Sequence, residues 1–355
     1  MTSRRMLIFR SLAIVVVLGA AAATTTFADD VVLVQGTTFK QGSGGKVRGT
    51  IQSETPSEIV LKLGANLINV PIDQVDSVRY DGQTPTIILA ESSEGGGQLE
   101  KAAELYKKAA SESEGKPFIE QAAKFKQASV TTDLALADPT KAGEAVALLD
   151  TFVKANPNTR HTPAALEKLA RLQLQKGDYA QVEKTIALME KFPRGADRAG
   201  VLRAKVSAKK GDYAESITEL DKLIKASPDG SPRQREAKLA KAESLAGLKK
   251  FGEAEADLRA AIKSLPAEDV AAQSAAYNGL GDCLRAAGRP KDALLAYLHT
   301  DILYSKDKEQ HPRALAQIAL LWRELKRDDR ADEIQQRLKV EYPQSPWTKP
   351  ARVNP

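Results

Sequence analysis

The chain has 355 residues, of which 5% are aromatic and 28% charged, with a formal charge of +6. So few aromatic residues exclude the composition of a large single-core enzyme and match a helix-rich array of Ala, Leu, Lys and Glu. Three arginines (Arg4, Arg5, Arg10) lie in the first ten residues, and without them the basic surplus falls to three, too little for a polyanion footprint; no nucleic-acid partner is expected.

Residues 1–28 read as a secretory signal. A basic stretch from Met1 to Arg10 precedes an apolar run from Leu12 to Ala23, and Thr26-Phe27-Ala28 supplies a small-x-small cleavage site before Asp29. The apolar run is short against the about 20 residues a bilayer-spanning helix needs, which disfavours a retained anchor. Ser3-Arg4-Arg5-Met6-Leu7 loosely resembles a twin-arginine signal, although the general secretion route fits better. No cysteine follows the site to accept a lipid. The expectation is an exported protein of the periplasm or cell envelope, soluble after cleavage near Ala28, with no stable membrane insertion.

Residues 29–90 carry a period of two: Val31–Val34, then Val47, Gly49 and Ile51, then Ile59–Leu63, Leu67–Pro71, and Val75 with Val78–Tyr80. Short β-branched runs split by Gly, Pro and Asn predict about five strands. Rolling such a sheet into a small barrel would remove its edges. With Gly49-x-Ile51 on a bent strand, Ile59, Leu61 and Leu63 on one face, and a turn at Ile72–Val75, the order of elements resembles an SH3-like or Sm-like barrel. The base-stacking residues of an RNA site are missing. The loop Gly42–Lys46 is no phosphate loop, because Lys40 stands where the first glycine belongs and Val47 follows Lys46. Residues 91–98, Gly- and Ser-rich, read as a flexible linker.

Apolar residues recur at helical spacing from Leu99 onward. Residues 99–162 form degenerate helical repeats, with Ala102, Ala103 and Tyr106, then Ala145, Leu148, Leu149 and Phe152. From 163 to 347 a unit repeats clearly. Gly177-Asp178-Tyr179, Gly211-Asp212-Tyr213, Lys249-Lys250-Phe251 and Gly288-Arg289-Pro290 each sit between two amphipathic segments. Val182, Ser216, Ala254, Ala293 and Ala331 follow at spacings of 34, 38, 39 and 38 residues. Twelve residues before each stand Ala170, Ala204, Ala242, Gly281 and Ala319, all small, as a close helix crossing requires. Pro157, Pro193, Pro228, Pro266 and Pro343 close second helices. Residues 348–355 are a C-terminal tail.

These units resemble tetratricopeptide repeats. Tyr277-Asn278-Gly279-Leu280-Gly281-Asp282, followed by Gly288 to Ala293 and Tyr297, matches that pattern best, and spacings above 34 depart from it. The phrase Tyr342-Pro343-Gln344-Ser345-Pro346 is similar to helix ends in envelope-associated bacterial repeat proteins. The resemblance implies a mainly α fold: an α-α superhelical solenoid behind a small β-barrel-like domain. It implies a concave groove for protein ligands, lined by first-helix residues: Arg171, Lys205, Glu243, Asp282 and Leu320, then Glu167, Val201, Leu239 and Asn278 one turn earlier, and Leu174, Arg285 and Arg323 one turn later. The sign along this row runs basic, acidic, basic, which suits an extended or helical partner segment of mixed charge.

Catalytic chemistry has little support. His161, His299 and His311 fall in different contexts, and Cys283 is a lone cysteine suited to a helix core. No catalytic residue, metal site or cofactor is expected. The function expected is an exported scaffold or adaptor for protein–protein interaction. A cell-wall or glycan-binding factor using the β domain is the alternative, although Phe39 and Tyr80 are its only aromatics, and an enzyme with a site between repeats ranks lower.

Overall fold

The computed structural model describes residues 28–193 and 195–348, without the side chains of 196 and 197. The signal-like segment 1–27 and residues 349–355 of the tail lie outside the described residues.

Five strands come first: β1 (Asp29–Leu33), β2 (Lys46–Glu54), β3 (Glu58–Leu63), β4 (Asn66–Pro71) and β5 (Val75–Arg79). On β2, Val47, Gly49 and Ile51 are buried while Arg48, Thr50 and Gln52 are exposed, the alternation of a sheet with one covered face. All neighbours are antiparallel, in the order β4-β3-β2-β1-β5.

This order corrects the barrel expectation. The sheet is open, and β4 and β5 are its two edges. The barrel was expected because closure removes edges, but closure also requires the sheet to cover its own apolar face. Helices do this instead: Val31, Val47, Ile51, Ile59 and Leu61 share one core with Ile87, Ala109, Ala110, Ile119 and Ala123 of the first three helices.

Fourteen α-helices follow among the described residues. They are α1 (Pro85–Gly95), α2 (Leu99–Glu112), α3 (Pro117–Ala137), α4 (Ala142–Ala155), α5 (Thr162–Lys176), α6 (Tyr179–Met189) and α7 (Gly195–Lys210), then α8 (Tyr213–Ala226), α9 (Pro232–Gly247), α10 (Phe251–Ser264), α11 (Val270–Ala286), α12 (Pro290–Leu303), α13 (Gln310–Glu324) and α14 (Asp328–Glu341). They pack as successive antiparallel hairpins, α1 with α2 through α13 with α14.

One backbone turn recurs. Gly97, Gly177, Gly211, Lys249, Gly288 and Lys326 all have φ between 59° and 94°. In each case this residue's N–H reaches the carbonyl three back, and the next N–H reaches the carbonyl five back, as in Gly177 to Leu174 and Asp178 to Gln173. That is the Schellman closure of a helix C-terminus, and glycine is its natural residue. At α3/α4 the Asp138 carboxylate accepts from Thr140 instead.

The first of these turns changes the reading of residues 91–98. They are not a free linker. Residues 91–95 finish α1, Ser93 is buried, and Glu94 accepts hydrogen bonds from Tyr106 (2.5 Å) and Lys126 (3.2 Å). Three consecutive glycines look flexible in isolation, yet Gly97 is the left-handed turn of a hairpin. Ala90, seven residues before Gly97, and Ala102, five after, are fully buried, as Ala170 and Val182 are around Gly177.

The small column is the crossing point of each hairpin. Ala170, Ala204 and Ala242 are buried against the second helix. At Gly281 even a methyl is excluded, because an added Cβ would lie 2.6 Å from the ring of the fully buried Tyr297.

Glycine therefore has opposite value at two kinds of position. Gly281→Ala gains about 1 kcal/mol of helix propensity, but it overpacks the Tyr297 ring at about 1–3 kcal/mol, so the urea midpoint should fall. Lys249→Gly and Lys326→Gly relieve a left-handed side chain worth about 1–2 kcal/mol against a glycine entropy cost of about 0.5–1 kcal/mol. Each should raise the midpoint; a drop in either would refute this assignment of the turns.

Candidate protein-binding groove

The first helices α5, α7, α9, α11 and α13 lie side by side. Their inner faces carry charged side chains that reach from one hairpin to the next. Lys205 of α7 bonds Glu236 of α9 (3.0 Å). Asp282 of α11 pairs with Arg313 of α13 in the same way, again 31 residues on and with the signs exchanged. Glu167 of α5 accepts from Arg198 of α7 (2.6 Å) and lies 3.6 Å from Arg233 of α9. Burial would raise the Glu236 carboxyl, but Lys205 and Arg233 hold it below its usual range.

One pair crosses the whole row. Arg171 of α5 bonds Glu309, the residue before α13, at 3.0 Å although 138 residues separate them. The superhelix therefore winds far enough for two long side chains, each about 40% exposed, to bridge its concave side.

The expected lining residues divide into groups. Glu167, Arg171, Lys205 and Asp282 belong to this network, and Arg285 extends it to Gln317 and Glu324 of α13. Glu243 is exposed and lies in the field of Arg313. Leu174 and Leu239 are half-buried against core clusters, and Val201 is fully buried with Ala204 and Leu220. Asn278 is also buried, donating to the backbone and side-chain oxygens of Gln310. Arg323 turns to Asp332 and Gln335 of α14, apart from the others.

Sequence reasoning missed Arg198, Glu236 and Arg313, which stand six residues before Ala204, Ala242 and Ala319. The signal was present: three charges in one repeat column, one turn before the earliest column inspected. Missed also were Lys168, which bonds Asp133 of α3 (2.7 Å), and Glu309, which lies outside the regular helix.

A second polar cluster ties the sheet to the array. Arg160, in the loop before α5, bonds Glu54 of β2 (3.0 Å) and the Tyr80 hydroxyl (2.9 Å), while Tyr80 donates to Glu54 (2.9 Å). The Glu54 side chain is wholly buried; burial pushes its carboxyl up and Arg160 opposes this. The neighbouring His161 stacks on Phe125 at 4.6 Å, with a buried Nε2 that has no hydrogen-bond partner. Burial, then the charges of Arg160 and Lys126, depress its basicity well below the ordinary imidazole range.

The remaining reactive types are structural. Cys283 is buried and its Sγ–H points at the Phe251 carbonyl (3.4 Å); burial raises its thiol. His311 sits between Asp301 (2.8 Å) and the Tyr342 hydroxyl (2.7 Å), locking the last hairpins together. Among the described residues no group of three or more His, Cys, Asp or Glu could hold a metal ion, and no helix is long and apolar enough to cross a membrane.

Residues 201–269 and 239–299 match the family described as tetratricopeptide repeat. Among solved structures, the apo form of the quorum sensor NprR from B. thuringiensis is similar with a TM-score of 0.51 at 12% identity, covering 72% of this chain and 74% of that one. A Rap protein complexed with competence and sporulation factor gives 0.50 at 12% identity, covering 74% and 76%. A tetratricopeptide repeat protein from Parabacteroides merdae ATCC 43184 gives 0.48 at 16%, covering 72% and 91%. No curated protein matches the chain. The array is a helical-repeat fold. Its fold is tetratricopeptide-like, and residues 201–299 match the tetratricopeptide repeat in sequence.

Removing Arg160 leaves Glu54 buried without its counter-charge, so Arg160→Leu should cost about 3–5 kcal/mol in denaturant unfolding. His161 gives a pH dependence. Its folded-state basicity is depressed, so below about pH 6.5 the unfolded chain binds the extra proton and stability falls as pH falls. Between pH 6 and 5 the native chain should lose more stability than His161→Phe, which keeps the stack, by up to about 1.2 kcal/mol. Parallel pH profiles would show that His161 is not the group responsible.

Proposed function

We propose that this chain is a protein-binding scaffold or adaptor, exported to the periplasm or cell envelope, that holds a partner segment along the inner faces of α5, α7, α9, α11 and α13. The observation that carries this reading is the row of half-buried charges on those faces, joined to each other across successive hairpins. Such pairs are partly open to water, and a segment of mixed charge can exchange for them one at a time. Exchange of this kind favours selectivity over raw affinity. An extended segment can present both signs in turn and suits the passage from basic Arg171 and Lys205 to acidic Glu236 and Asp282. Support for export comes from the basic, apolar and small-x-small pattern of residues 1–28.

The glycan-reading alternative loses one of its two aromatics. Tyr80 is buried and its hydroxyl is engaged by Glu54 and Arg160, so it offers no exposed ring.

The test is capture of cross-linked partners by the full chain from intact envelopes of the producing cells, with Arg171→Glu combined with Lys205→Glu as the comparison. A reproducible protein partner, lost about ten-fold or more in the double variant at unchanged melting temperature, is the expected result. Recovery of only bulk envelope proteins, equally with both chains, would sink the reading.

A further inference from the structure

Because the sheet is open, β4 and β5 each present one edge that no strand pairs among the described residues. The two edges differ. β5 carries Asp76 and Arg79, and its pairing with β1 is broken by a bulge between Val32 and Leu33. Charges and bulges are the means by which proteins blunt strand edges. β4 has neither: Asn66-Leu67-Ile68-Asn69-Val70-Pro71 is uncharged and pairs with β3 in unbroken register, with Leu67 63% exposed.

The register shows what the free edge offers. The Ile72 N–H bonds the Ser57 carbonyl (2.8 Å), and antiparallel pairs alternate from there. Val70, Ile68 and Asn66 therefore bond inward to β3. Leu67, Asn69 and Pro71 turn their main-chain groups outward: two N–H donors and three carbonyls over about 14 Å. The same three residues line a cleft of about 700 Å³ together with the loop Thr38–Gln41, Asp73 and Gln74.

We propose that this cleft receives an extended segment of a partner polypeptide, which joins β4 as a sixth strand. Donors and acceptors recurring every second residue are complementary to another extended backbone, which supplies the same spacing. The exposed Leu67 favours an apolar side chain beside it, and Pro71, without an N–H, ends the ladder. This site is separate from the helical groove and stands or falls without it.

The test uses the full chain and a phage-displayed library of random dodecapeptides. Peptides with alternating apolar residues should be enriched, and should protect the Leu67 and Asn69 amides from hydrogen exchange. Asn69→Pro removes only an outward N–H and should weaken binding about ten-fold or more, whereas Asn69→Ala, which keeps the N–H, should not. Enriched peptides that bind Asn69→Pro equally, or leave both amides unprotected, would overturn the proposal. So would the absence of any enriched peptide, or self-association through β4 lost in Asn69→Pro, which would assign the edge to a second copy.

Discussion

Two helices can lie close along their length only where the side chains at their crossing are small. Here buried residues, nearly all small, recur at the same two columns of successive hairpins: Ala170 and Val182, Ala204 and Ser216, Ala242 and Ala254, Gly281 and Ala293, Ala319 and Ala331. The left-handed turn between the helices stands at the same distance from both columns in each hairpin, seven residues after the first and five before the second. Everything else rests on this. The packed hairpin exposes one apolar flank, the next hairpin covers it, and the stack continues. Charged residues are then confined to the two surfaces that stacking leaves open.

On the concave surface those charges are neutralised by neighbours instead of by solvent. Lys205–Glu236 and Asp282–Arg313 occupy equivalent positions with reversed sign, so the geometry of the bridge is a property of the repeat while its polarity varies along the chain. Partly exposed ion pairs contribute little stability. In the function proposed above, their role is to present ordered, exchangeable charge on a rigid backing.

The parts legible in the sequence were those set by local geometry or nearest-neighbour packing. Ala170 to Ala319 and the turns at Gly177, Gly211 and Gly288 stood out because each obeys a rule within one hairpin. Lys249 and Lys326 occupy the left-handed position without the glycine that marks it, and only the spacing revealed them. The first hairpin stayed hidden because Gly95, Gly96 and Gly97 read as flexible when only Gly97 needs its freedom. Strand content was visible, but whether the sheet closes depends on Ile87, Ala109 and Ile119 from helices beyond it. The lining was half legible: Val201 satisfies the groove spacing yet faces the core, and Arg171–Glu309 depends on winding accumulated over several hairpins.

The turn at Gly97 also bears on how the array ends. A stack of hairpins has two terminal flanks with no next hairpin to cover them. At the far end Tyr342 and Trp347 fold back over Leu315 and Leu338. At the near end the covering piece is the sheet, whose apolar face closes over α1, α2 and α3. The sheet is thus a lid on the solenoid, and the glycines that look like a place to divide the chain run through the middle of the first hairpin. A cut there would leave α2 without α1 and lay bare the flank that the lid protects.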